Sequence, residues 1–164
     1  MLYVLRHAEA EQGFPDELRP LTLKGCKQSQ TLGRFLKKQK IVLPETIWHS
    51  GLERAKTTAT ELLRGLEQSI PLEEVPLLRP NEAIEPIIRK LKAHGKPLMI
   101  VGHNPFLTIL INEIISFGAH DGAAHVRKAS LWAFTPITTS TSGKSWQLEW
   151  SIYADQLAPF LSGC

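Results

Sequence analysis

The first hydrophobic feature of the chain, Leu2 to Leu5, is a continuous apolar run that includes Tyr and Val, the pattern of a short strand buried on both faces. It ends on Arg6-His7. From Thr22 to about Lys40 the period changes: Leu23, Cys26, Leu32, Phe35 and Leu36 fall on one helical face, with Thr22 as the N-cap. Thr46 to His49 predicts a second strand. Leu52 to Leu66 predicts a second helix, with Ala55, Ala59, Leu62, Leu63 and Leu66 along one side. Glu74 to Leu78 reads as a third strand, and Pro80-Asn81 as a loop. A helix near Pro86 to His94 follows, with Ile87, Ile88 and Leu91 inward and Gly95 as its C-cap. Pro97 to Val101 is the most strand-like run in the middle of the chain and leads directly into Gly102-His103-Asn104-Pro105, where Asn104 and Pro105 match N-cap and first-turn preferences. The helix opened there carries Leu107, Leu110, Ile111, Ile114 and Ile115 to a stop near Gly118. Ser130 to Pro136 and Trp146 to Tyr153 alternate as the strands of a hairpin, joined by the Thr/Ser/Gly-rich stretch Thr138 to Gly143. Ala8 to Pro20 and Ala119 to Lys128 follow no period.

Strands alternating with helices define an α/β class: a single layered domain with a mainly parallel central sheet flanked by helices and a C-terminal antiparallel hairpin. The length of 164 residues is close to the soft prior of about 150 per domain, and no linker or repeat divides residues 1–164. With 43% hydrophobic and 21% charged residues, disorder is excluded as the main state. The net charge is only +3 and there is no basic run, so no nucleic-acid partner is expected. The two cysteines, Cys26 and Cys164, make neither a disulfide framework nor a zinc-ligand spacing. No apolar segment has the length of a membrane span, and charge arrives too early for a secretory leader. The expectation is a cytoplasmic protein without membrane contact.

The candidate chemistry gathers at strand ends. Arg6-His7 and His103 each follow a predicted strand, where open α/β sheets bind ligands. The helix opened by Asn104 aims free N–H groups and its positive dipole end at the same region, a setting that attracts anions. Arg54 lies in the first turn of another helix, where a cation opposes the dipole, and a nearby anion would supply the reason for keeping it. Two arginines, two imidazoles and a helix N-terminus form a site for a phosphoryl group, and a neutral imidazole there is a potential nucleophile.

Four segments resemble motifs of the histidine phosphatase superfamily, and within it those of the small SixA-type phosphohistidine phosphatases. They are Leu5-Arg6-His7-Ala8-Glu9-Ala10, Arg19-Pro20-Leu21-Thr22-Leu23-Lys24-Gly25, Ser50-Gly51-Leu52-Glu53-Arg54-Ala55-Lys56-Thr57-Thr58 and Val101-Gly102-His103-Asn104-Pro105. Their order and spacing span most of the chain. The resemblance implies a phosphoglycerate mutase-like fold with His7 as the nucleophile. Arg6 and Arg54 would bind the phosphoryl oxygens, His103 would donate to them as charge develops, and Arg19 would be a further phosphate-binding residue. It also implies a phosphohistidine intermediate hydrolysed by water, without metal or organic cofactor. Phosphoryl transfer is compatible with that, since it needs mainly positioning and charge stabilisation.

The chain departs from the family pattern in two neutral ways, Ala8 for a common glycine and Gly51 for a usual proline, and in one that bears on the substrate. Phosphomonoesterase relatives use a mid-chain carboxylate to protonate an alcohol leaving group. Glu82, Glu85 and Glu9 lie in the right neighbourhoods, but none sits in a matching motif, and carboxylates at helix starts have a structural explanation. An alkoxide needs a positioned acid more than the imidazole of a protonated phosphohistidine does. With no large insertion to build a lid, the pocket is expected to be open. The expected activity is hydrolysis of phosphohistidine on a partner protein, such as a histidine-phosphotransfer domain, by a monomer. The alternatives are a small phosphorylated substrate cleaved as a phosphomonoester, and a phosphate-binding module without turnover.

Other candidates have simpler explanations. His120, Asp121 and His125 lack metal-ligand spacing and fit a surface loop. His49 fits a structural histidine and His94 the last turn of a helix. Trp132, Trp146 and Trp150 fit sheet-face packing, and Cys26 has no redox role.

Overall fold

In a computed structural model that describes residues 1–39, 41–116, 124–139 and 143–161, six strands form one sheet in the order β3-β2-β4-β1-β5-β6. They are β1 (Leu2–Arg6), β2 (Thr46–His49), β3 (Leu72–Glu74), β4 (Leu98–Gly102), β5 (Ser130–Thr139) and β6 (Gly143–Tyr153). The first four are parallel; β5 and β6 join antiparallel, as the hairpin pattern predicts. The helices are α1 (Leu23–Gln39), α2 (Glu53–Leu66), α3 (Ile84–Ala93), α4 (Phe106–Ser116) and α5 (Ala154–Leu161).

The apolar run of β1 is explained by layers on both faces. Tyr3 and Leu5 point into a core with Leu32, Leu36, Ala55, Ala59 and Leu62, which α1 and α2 supply. Leu2 and Val4 point into the opposite core with Ile87, Leu91, Leu107, Leu110 and Ile111, from α3 and α4. Alternate residues of β4 divide in the same way, Met99 and Val101 to one side, Leu98 and Ile100 to the other. β1 and β4 are therefore both central strands, and the crossover helices that follow them lie on opposite faces. That is the geometry of a topological switch point, with its crevice at the carboxyl ends of the two strands.

Several expectations are corrected. The third strand is Leu72–Glu74, ahead of its expected place, and Pro76–Leu78 is a 3-10 turn, because Pro76 has no N–H to give a ladder. Gly95 does not cap α3; His94 does, in an extended conformation, with its ring edge-on to Trp48. α4 starts at Phe106, and Asn104 is not its side-chain cap: its Nδ2 donates to the Val126 carbonyl at 2.9 Å. Leu23, expected inward, is 84% exposed. α5 has no counterpart in the sequence pattern; it places Ala154 and Leu157 in the core shared with α1. Gly118, His120, Asp121 and Cys164 lie outside the described residues.

Candidate active site

Parallel register brings the strand-end residues together. Arg6 pairs with Gly102 and His49 with Val101, so His7, Ser50 and His103 all emerge at one edge of the sheet. The His7 amide donates to the Gly102 carbonyl at 3.0 Å, and the rings of His7 and His103 lie 4.9 Å apart between centroids. Both histidines are buried.

Hydrogen bonding sets the His7 tautomer. Its Nδ1 lies 2.7 Å from the Ala8 carbonyl oxygen, which can only accept. Nδ1 therefore carries the proton and Nε2 keeps its lone pair. Burial, together with the Arg54, Arg6 and Lys128 charges, pushes the His7 pKa from 6.5 down to about 3, against a smaller opposing effect of the Ala8 bond. His103 is pushed down to about 2 by burial, with His7 and Arg54 adding to it. At neutral pH both rings are uncharged, and an uncharged imidazole with a free lone pair is a nucleophile.

The cations around them are held from below. Arg6 Nη1 donates to the Val126 carbonyl at 2.8 Å, the same oxygen that Asn104 Nδ2 reaches. The segment before β5, which carries no sequence pattern, thus becomes a backbone scaffold for Arg6. Arg54 sits in the first turn of α2 and its side chain is only 6% exposed. Two buried polar atoms of the site, Arg6 Nε and His103 Nδ1, have no hydrogen-bond partner among the described residues. Buried polar atoms left unpaired cost free energy, and a bound anion would satisfy the guanidinium N–H.

The motif glycines and threonines have local reasons. Thr22 Oγ1 accepts the Gly25 N–H at 2.9 Å, the capping bond expected at the start of α1. A Cβ on Gly25 would stand 2.0 Å from the Glu9 carbonyl oxygen, so only glycine lets α1 pack against the segment after His7. Thr58 Oγ1 accepts the Ala8 N–H at 3.0 Å and so ties α2 to the nucleophile's neighbour. Gly51 adopts φ 85°, a conformation closed to proline, which accounts for its departure from the family pattern.

The structure brings His7, Arg6, Arg54 and His103 into one crevice. Arg19 reaches it only indirectly: Nε donates to the Glu11 carbonyl at 2.7 Å and Nη1 to Asp16 Oδ1 at 2.8 Å. Asp16, which the sequence reading passed over, is bound to Arg54 as well, and the arginines hold its carboxyl below the usual range, Arg19 most strongly. Ser50 was also missed; it is fully buried, with Oγ 2.6 Å from His103 Nε2. Glu82 and Glu85 are exposed, and their side chains have no hydrogen bond or ion pair among the described residues. Glu9 is turned toward Thr22 and Lys24. His49 is buried, its Nδ1 accepting the Gly51 N–H at 3.2 Å, as suits a structural histidine.

Beside Arg6 an open groove of about 350 Å³ runs past Lys24, His125, Arg127 and Lys128, with Tyr153 at its side. No helix among the described residues is long and apolar enough to cross a membrane.

The model of the histidine phosphatase superfamily (branch 1) matches residues 2–83, half of the chain, and the chain belongs to that superfamily. Its class is that of a phosphatase. Within the superfamily the chain is similar to phosphohistidine phosphatase SixA of Escherichia coli (strain K12), with 27% identity over 118 residues, 69% of this chain and 73% of that one. A solved structure of the protein histidine phosphatase SixA complexed with tungstate has a TM-score of 0.80 at 21% identity, covering 95% of this chain and 98% of that chain. The fold is not confined to that type. A mycobacterial glucosyl-3-phosphoglycerate phosphatase with inorganic phosphate has a TM-score of 0.65 at 18% identity, covering 93% and 97% of the two chains.

Proposed function

We propose that this phosphatase hydrolyses phosphohistidine on a partner protein, through a covalent phospho-His7 intermediate and without a metal. The observation that carries the reading is the neutral His7 with Nδ1 tied to the Ala8 carbonyl, beside Arg6, Arg54 and His103, with no carboxyl group among the described residues poised as an acid.

In the first step His7 Nε2 attacks phosphorus. The P–N bond to the substrate imidazole breaks, and the leaving imidazole takes the bonding pair. From a phosphohistidine protonated at its other nitrogen it departs as neutral imidazole and needs no proton from the enzyme. Arg6, Arg54 and His103 bind the phosphoryl oxygens as charge spreads over them. Water then attacks phospho-His7, releases phosphate and restores the Nε2 lone pair. An alkoxide would need an acid, and the carboxyl nearest the arginines, Asp16, is held ionised by Arg19 and Arg54. The similarity to SixA supports the same substrate class. Arg19 serves the phosphate site through Asp16.

The test is phosphate release, in excess EDTA, from a phosphohistidine-bearing phosphotransfer domain and from an aryl phosphate ester, with His7→Ala as the blank. Faster release from the phosphohistidine, abolished in His7→Ala, is expected. Turnover of the ester alone would make the protein a small-molecule phosphatase, and loss of activity in EDTA would remove the metal-free mechanism.

A further inference from the structure

Arg54, the most buried cation of the site, is engaged by an anion from its own chain. Its Nη1 donates to the Asp16 carbonyl oxygen at 2.7 Å and its Nη2 to the Asp16 carboxylate Oδ2 at 2.9 Å. The second carboxylate oxygen, Oδ1, accepts from Arg19 Nη1 at 2.8 Å. One residue thus presents three oxygens to two arginines. Two oxygens set against a guanidinium fork are what a phosphoryl group also presents.

The two partners differ in how firmly they are held. The Arg54 side chain is 6% exposed, whereas that of Asp16 is 55% exposed. Asp16 opens a 3-10 turn, Asp16–Leu18, none of whose residues is buried, and Phe14 and Leu18 beside it are 98% and 67% exposed. The segment is fastened at its base, where the Glu11 amide donates to the Pro20 carbonyl at 2.9 Å and Ala10 bridges Leu21. Asp16 can therefore leave Arg54 without moving any core side chain. The charge of Asp16 also reaches His103, whose pKa it raises.

We propose that Asp16 is a specificity-determining residue, a built-in competitor whose carboxylate holds Arg54 against the phosphoryl group and is displaced when substrate binds. A ligand that must displace an internal one binds with its intrinsic affinity multiplied by the fraction of time the site is free. Asp16 therefore weakens any phosphate anion that reaches only the pocket. A small phosphate ester or free phosphate has nothing else to offer, while a protein substrate that also presses on the exposed Phe14–Leu18 segment draws Asp16 off Arg54 and escapes the loss. The selectivity part of this inference rests on the phosphohistidine-protein reading above; the competition itself does not.

The experiment is calorimetric titration of inorganic phosphate into the whole protein and into Asp16→Ala and Asp16→Asn, with thermal melts at each phosphate concentration. If Asp16 holds Arg54 about nine-tenths of the time, phosphate binds on the order of tenfold tighter to both variants. Asp16→Ala also strands a buried guanidinium, so it melts lower without phosphate and gains more in Tm from phosphate than the parent does. Phosphate binding that is unchanged or weaker in both variants overturns the proposal and makes Asp16 a support for Arg54. Turnover comes second: kcat/KM for an aryl phosphate rises relative to that for a phosphohistidine protein, and an unchanged ratio overturns the selectivity. The titration involves no turnover, so it reads competition even if the protein fails to release phosphate from phosphohistidine.

Discussion

His7 and His103 carry the same imidazole, and their neighbours make them chemically different. The Ala8 carbonyl can only accept, which leaves His7 Nε2 bare. His103 Nε2 instead faces Ser50 Oγ, which accepts the Leu52 N–H at 3.3 Å and has its own hydrogen to give. On the proposed mechanism that hydrogen goes to Nε2 and leaves the proton of neutral His103 on Nδ1, a buried nitrogen with no hydrogen-bond partner among the described residues, so that Ser50 positions the donor. On the proposed mechanism Ser50→Ala lowers kcat by about tenfold, the effect of about 1.4 kcal/mol from an unmade buried hydrogen bond. The ¹⁵N shifts of the His103 ring, which report where the proton sits, change with it. Unchanged ring shifts would show that Ser50 only fills space. At this scale Arg6, His7, Arg54 and His103 were legible because each stands at the end of a strand or the start of a helix, where periodicity places residues. Asp16 was not legible: it comes from an unpatterned stretch, and only the folded chain brings it to Arg54, 38 positions away.

Elements were legible where their surroundings were apolar. β1, β4 and the inward faces of α2, α3 and α4 were read from burial periodicity, and that periodicity exists because each packs against a full layer. The misreadings fall where a single residue overrides the pattern. Pro76 ends pairing in a run that otherwise alternates as a strand, and Asn104 spends its side chain on the Val126 carbonyl. α5 is short, and the side chains of it described as buried, Ala154 and Leu157, are too few to show a period. The start of α1 offers a test at this scale. Thr22→Ala removes the capping bond to Gly25 and is expected to destabilise by about 1 kcal/mol, with little loss of activity. Gly25→Ala drives a methyl into the Glu9 carbonyl, displacing the segment next to His7, and is expected to lose activity even where it remains folded. Urea midpoints and kcat for the two variants check this; equal activity loss in both would show that helix stability rather than the close approach matters.

For the molecule as a whole, two buried neutral histidines make stability depend on pH. The folded pKa values, about 3 for His7 and about 2 for His103, lie below the ordinary 6.5. From about pH 6.5 downward the unfolded chain binds protons at these positions that the folded protein does not, so stability falls with falling pH. The slope approaches about 1.4 kcal/mol per pH unit for each histidine, before the carboxylates contribute. Denaturant midpoints between pH 7 and 4 are expected to fall steeply in the parent and less so in His7→Gln and His103→Gln. Parallel curves would mean that the folded protein protonates these rings. The α/β class, the central parallel strands and the terminal hairpin were all legible in the sequence. The division of β1 between two cores was not, because a strand buried on both faces shows no alternation that says which helices lie on which side.

The four groups of the proposed chemistry hang from the ends of β1 and β4 and the first turn of α2, elements locked into the core, whereas Asp16 and Arg19 stand on the exposed segment between Glu11 and Pro20. With Asp16 as the proposed selector, chemistry and choice of substrate are encoded in separate parts of the chain. Lengthening or replacing that segment leaves the reacting groups where they are, so such a scaffold can change clients by insertion at its edge without inventing its catalysis anew.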